Sequence, residues 1–107
     1  MICHMSFTGN EDHSISLANA ADMTESYRDN NLGKPLGGFF GKTAIQDILD
    51  QTDCVGIRYY NAENSNGDQT IVLVGVKANQ DDLESGDLAD YGLPVPPFGG
   101  ANNQLNS

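Results

Sequence analysis

The sequence predicts an α+β domain, two helices packed on a small antiparallel sheet centred on a β-hairpin, and three observations carry that prediction. Apolar residues are densest between Phe39 and Val76. Within that stretch a helical pattern, Ala44-Ile45-x-x-Ile48-Leu49, precedes two β-rich runs, Cys54-Val-Gly-Ile-Arg-Tyr-Tyr60 and Thr70-Ile-Val-Leu-Val-Gly-Val76. The segment between the runs, Asn61 to Gln69, is rich in turn-forming residues. Such a pattern specifies a core rather than a chemistry.

Taken in order, residues 1–13 lack periodicity and are expected to be flexible or loosely docked. A single domain is expected over 14–92. It begins with a helix of about Ser16 to Asp29: Ser16 is the N-cap, Ile15 stands in the staple position opposite Ala20, and Leu17, Ala20, Ala21, Thr24 and Tyr27 share one face. Asn30-Asn31-Leu32-Gly33 ends it, because Asn and Gly tolerate the left-handed conformation that closes a helix. Lys34-Pro-Leu-Gly-Gly38 reads as a connector that lets Phe39 and Phe40 fold onto the core.

A second helix is expected over about Lys42 to Gln51, with Ala44, Ile45, Ile48 and Leu49 on its buried stripe. In the first strand Val55, Ile57 and Tyr59 alternate with Gly56, Arg58 and Tyr60. The second is apolar on both faces, which suits a strand that is central or covered on both sides. Asn66-Gly67 marks the reversal. The acidic stretch Lys77 to Tyr91 reads as a loop with at most a short strand or one helical turn. Residues 93–107 read as an extended, proline-containing tail. A hairpin alone leaves open edges, so a further short strand from the ends or a second copy of the chain is expected to complete the sheet.

Composition narrows the function classes. The chain has 107 residues, and 15 acidic against 5 basic residues give a formal charge of −10. A field of that sign opposes binding to nucleic acid or to anionic membranes and favours solubility, a basic protein partner or cation association. The longest apolar run, Ile71 to Val76, is too short to span a membrane. No secretory signal is visible at the N-terminus, so a cytoplasmic address is the default, one that export without a signal would escape. Cys3 and Cys54 are read as reduced thiols for the same reason.

The segment Gly41-Lys-x-Ala-Ile-x-x-Ile-Leu-x-Gln-x-x-Cys-Val-Gly-Ile-Arg58, followed by Val72-Leu-Val-Gly-Val76, resembles a group of small uncharacterised bacterial proteins. These share a helix followed by a Gly-Ile-Arg strand, and the likeness extends to Ile15-Ser-Leu17 and Tyr27-Arg28. Members often carry cysteines around the proline pair near the C-terminus, where this chain has Val95 and Phe98. The resemblance therefore implies a fold and carries no activity, metal or redox role.

Each chemical motif meets a plainer alternative. Gly41-Lys42-Thr43 lacks both the strand and the glycine, at Leu36, that a phosphate loop requires, and a glycine N-cap explains it. Cys3, His4 and His13 lack paired metal-ligand spacing. Aligning Asn64, Asn66 and Gly67 with a calcium loop puts Ala62 and Leu73 where acidic ligands belong. No metal or cofactor is thus expected. Cys54 with His13 is the one Cys/His combination available for nucleophilic catalysis, and a buried small hydrophobe is the simpler reading of a cysteine that opens an apolar strand.

Asp81, Asp82 and Glu84 read as a solvated acidic edge. Arg58 is expected to pair with an acidic side chain across the sheet, or else to offer an anion contact beside Tyr60. Pro94-Val95-Pro96-Pro97 has the spacing of a polyproline ligand, against a stiff segment laid on the domain's own surface. The candidate interaction residues are therefore Arg58, Tyr60, Asp81, Asp82, Glu84, Pro94 and Pro97. A non-enzymatic protein-interaction or assembly module, joining a protein partner or self-associating, is the leading expectation. A ligand-binding or enzymatic domain using Arg58, Tyr60 and Cys54 is one alternative, and an acidic inhibitor or immunity-type protein for a basic partner is the other.

Overall fold

The two β-rich runs form the long hairpin of a three-stranded antiparallel sheet, β2 (Cys54–Glu63), β3 (Gln69–Lys77) and β4 (Leu88–Asp90), in the order β2-β3-β4. The computed structural model describes residues 6–90, 93–96 and 99–106; Cys3, His4, Tyr91, Pro97 and Phe98 lie outside them, and so do the readings attached to them. β3 is central, as its apolar character on both faces predicts. The hairpin is extended by a short strand, β4, which comes from the acidic stretch after β3 rather than from the ends; its Leu88, Ala89 and Asp90 stand opposite Val74, Leu73 and Val72.

The chain divides into two compact units. One, here the sheet unit, comprises the described residues of Met1–Glu11 and Phe40–Tyr91; the other, the helix-tail unit, those of Asp12–Phe39 and Gly92–Ser107.

The sheet unit contains helix α2 (Lys42–Leu49), which packs against β2 and β3. Gly41 is its N-cap and makes no side-chain capping bond, in keeping with the plain reading of Gly41-Lys42-Thr43. Ile48 carries the buried stripe at 1% exposure, and Leu73, Val74 and Val76 complete the buried apolar set. Leu49 is 41% exposed: an eight-residue helix turns only a narrow stripe inward. At the hairpin tip the Asn64 N–H donates to the Asp68 carbonyl, and the Gly67 N–H to the Asn64 carbonyl, with Gly67 at φ +82°. The Asn64 side-chain oxygen accepts from the N–H groups of Asn66 and Asp68. This is a five-residue turn closed by a left-handed glycine, and it engages the Asn64 side-chain oxygen that the calcium alignment would need as a ligand.

From residue 77 the chain turns back on β3. Lys77 N–H donates to Asp81 O, Leu83 N–H to Gly75 O, and Asp82 stands opposite Val76. Phe7 N–H donates to Ala78 O, tying part of the opening segment to this turn.

The helix-tail unit contains α1 (Leu17–Asn30) and the two-stranded sheet β1 (Gly37–Phe39) with β5 (Leu93–Val95). The Ser16 side chain accepts from Asn19 N–H, so the predicted cap is formed. The helix ends through side chains: the Asn30 and Asn31 amides donate to the carbonyls of Ser26 and Tyr27, and Gly33 follows at φ +80°. The shared apolar face is not buried as expected. No residue of α1 is buried, and Leu17 and Ile15 are 56% and 60% exposed. The Lys34–Gly38 connector and the tail also hold more structure than expected, since Gly37, Gly38 and Phe39 pair with Val95, Pro94 and Leu93. The phenylalanine pair accordingly splits: Phe39 lies in β1 at 53% exposure, while Phe40 belongs to the sheet unit and is half-buried.

Candidate functional site

Antiparallel register sorts the side chains of the sheet into two faces. On one face Tyr60, Val72 and Asp90 lie in a row, Arg58, Val74 and Leu88 in the next, and Gly56, Val76 and Asp82 in a third. β3 supplies a valine to the middle of each row, and its neighbours supply every polar member: Tyr60, Asp90, Arg58 and Asp82. Arg58 stands beside Val74 on the β2 side and Asp82 beside Val76 on the other, so a bond between them must cross the central strand.

It does. Arg58 Nη1 donates to Asp82 Oδ1 at 2.5 Å and to the Gln80 carbonyl at 3.0 Å. Tyr60 Oη donates to Asp82 Oδ2 at 2.6 Å. One carboxylate thus accepts from both candidate residues of β2, one on each oxygen. Tyr60 and then Arg58 stabilise the ionised carboxylate and hold Asp82 below the usual aspartate range; Asp82 in turn raises the Arg58 guanidinium further. The pair is about two-thirds shielded from solvent, which strengthens it above a fully exposed ion pair without removing it from water.

Cys54 does not join this cluster. Register slips between Cys54 and Gly56, a β-bulge that turns the cysteine to the opposite face. There its Sγ donates to the Gly56 carbonyl at 3.2 Å and crowds Gly75, where an added Cβ would lie 3.0 Å from that sulfur and 2.8 Å from Gln51 Nε2. Arg58, Tyr60 and Cys54 therefore do not surround one reacting atom. Cys54 is a free, half-buried thiol, and His13 belongs to the helix-tail unit.

The remaining candidates disperse. Asp81 takes part in its own turn, accepting from Asn79 Nδ2 and donating its N–H to Asn79 Oδ1. Glu84 is exposed on the segment that returns to β4. Pro94 lies in β5 opposite Gly38, so it belongs to a paired strand, and Pro97 is outside the described residues.

Gln51 is a joining residue that sequence reasoning missed. Its Nε2 donates to the Ile48 carbonyl and its Oε1 accepts from Asp87 N–H, linking the end of α2 to the turn before β4. Gly86 makes room for it: a Cβ there would stand within 1.8 Å of Gln51 Oε1. A polar residue just past a helix gives no sequence signal for such a link. Glycine at 86 is the one local hint of close approach.

Among the described residues no cluster of three or more His, Cys, Asp or Glu side chains is arranged to hold a metal ion. None of the described helices is long and apolar enough to cross a membrane. The chain matches no protein-family model, no curated protein and no solved structure, so the resemblance drawn from its strand motifs carries no argument here.

Proposed function

We propose that the protein is a non-enzymatic interaction module whose sheet unit presents an acidic surface to a basic region of a protein partner. The observation that carries this reading is how the sheet unit uses its charges. It has eleven acidic residues against Lys42, Arg58 and Lys77, a net −8 of the chain's −10. Arg58 is already engaged by Asp82, so the cation best shaped to bind an anion serves the sheet instead. Asp50, Asp53, Glu84 and Asp87 are exposed, and Gln51 links the segments that carry them. The same charge opposes close pairing of two copies through this surface. The inhibitor or immunity-type alternative is a special case of the proposal, with a basic partner as its target.

Titration with a basic protein at low and then raised ionic strength tests the reading. Association is expected at low salt, weakening as the screening length falls to about 10 Å near 0.1 M, and weakening again in the double substitution Glu84→Lys with Asp87→Lys. Salt-insensitive association, or none at low salt, contradicts it. Alkylation of Cys54 tests the enzymatic alternative: the proposal expects slow labelling until the protein unfolds, and rapid stoichiometric labelling at neutral pH favours an activated thiol.

A further inference from the structure

Backbone direction along β2 carries an inference that rests on this proposal and names its docking edge. Residues of an antiparallel strand point their N–H and C=O groups alternately toward the partner strand and away from it. Asn64 N–H donates to Asp68 O, so Asn64 points toward β3, and by alternation so do Ala62, Tyr60 and Arg58. Bonds on the other side of β3 agree. Gly75 O and Lys77 N–H engage Leu83 and Asp81, so the odd-numbered residues of β3 face away from β2. The N–H and C=O groups of Ile57, Tyr59, Asn61 and Glu63 therefore point away from the sheet, along an edge that no described strand covers.

The usual protections against strand addition are sparse there. Between Ile57 and Glu63 there is no proline and no lysine, the bulge lies earlier, at the start of the strand, and Arg58 is turned onto Asp82. Gly9 lies against the Val55 carbonyl, at that same early end. Tyr59 and Tyr60, on opposite faces of β2, are 57% and 47% exposed. An added strand would set alternate side chains beside each ring, and both rings favour a cation over their faces.

We infer that the β2 edge from Ile57 to Glu63 is a docking site for an extended, basic segment of another protein, which adds as a fourth strand. Charge selects that occupant over a second copy of this chain, because the sheet unit carries −8.

The probe is the peptide Arg-Val-Arg-Val-Arg-Val-Arg, added to the full-length protein while amide hydrogen exchange is read residue by residue. The expected result is slowing of about tenfold or more at Ile57, Tyr59, Asn61 and Glu63, with little change at Arg58, Tyr60 and Ala62, which are already bonded. The slowing should disappear in Asn61→Pro, whose ring blocks the outer edge. It should also disappear with a peptide N-methylated at alternate residues, a control that leaves the protein unaltered. Salt-sensitive binding without the alternating protection overturns the edge and leaves the acidic-surface proposal standing. Absence of binding at low salt overturns both. Alternating protection that grows with protein concentration and without peptide overturns the foreign segment in favour of self-pairing.

Discussion

The two units differ in what they do with apolar side chains. The sheet unit buries Ile48, Leu73, Val74 and Val76, and its exposed large apolar residues are Leu49, Tyr59, Tyr60 and Leu88. The helix-tail unit buries none among its described residues and exposes eight: Ile15, Leu17, Met23, Tyr27, Leu32, Phe39, Leu93 and Leu105. Charge divides the other way, −8 in the sheet unit against −2 in the helix-tail unit. One unit therefore has a core and a charged exterior, while the other is held by hydrogen bonds, among them the local Ser16 cap and, between residues distant in sequence, the β1–β5 pairing and the Arg28 bond to the Leu105 carbonyl. A secondary-structure element can be fully formed and still contribute little to the core; α1 is such an element.

That contrast sets the largest expected effect. Ile48→Ala should lower stability by about 3 kcal/mol, because it removes the most buried side chain and leaves a cavity between α2 and the sheet. Leu17→Ala, at a 56% exposed site, should cost under about 0.5 kcal/mol. Equal losses in denaturant unfolding would erase the distinction between the units.

A proline pair on β2 sharpens it further. Ala62 faces β3 and Asn61 faces outward, so Ala62→Pro should cost about 3 kcal/mol through a lost ladder bond, and Asn61→Pro clearly less. Thr70, buried at 7% exposure, has no hydrogen-bond partner for its hydroxyl among the described residues. Thr70→Val should therefore stabilise the protein by about 1 kcal/mol, read as a rise in the unfolding midpoint.

The smallest effect depends on pH. Asp82 is held below its ordinary value of 3.8, so its contribution to stability is fully present above that value and is lost as pH falls through the lower folded value. Asp82→Asn should weaken the protein at neutral pH and flatten its stability profile below about pH 4. An unchanged acid profile would mean that the carboxylate does not tie the sheet.

The contrast also explains what was legible in the sequence. The apolar run of β3 is a tertiary signal, written by burial on both its faces, and register with β2 is regular from Ile57 to Glu63. The Ser16 cap is a local signal and is equally legible. What fails is inference from a helical face to a buried face: Leu17, Ala20, Ala21, Thr24 and Tyr27 share a side of α1, and none of them is buried. Three-residue strands containing glycine and proline, Gly37–Phe39 and Leu93–Val95, lie below any periodic signal.

At the candidate site, Arg58 and Asp82 both stood out as residues, and pairing across the sheet was the expected fate of Arg58. Which acid it meets depends on the turn at 78–82, where Gln80 at φ +80° returns the chain beside Val76. The reversal of Cys54 depends on a bulge that nothing in Cys54-Val55-Gly56 announces beyond the glycine itself.

Native-state hydrogen exchange on the free protein tests the account most directly, because one experiment reads both core and edge. The slowest amides are predicted in β3 and at the inward positions Arg58, Tyr60 and Ala62, with fast exchange at Ile57, Tyr59, Asn61 and Glu63 and throughout α1. Uniform protection along β2, or amides of α1 that outlast those of β3, would contradict it.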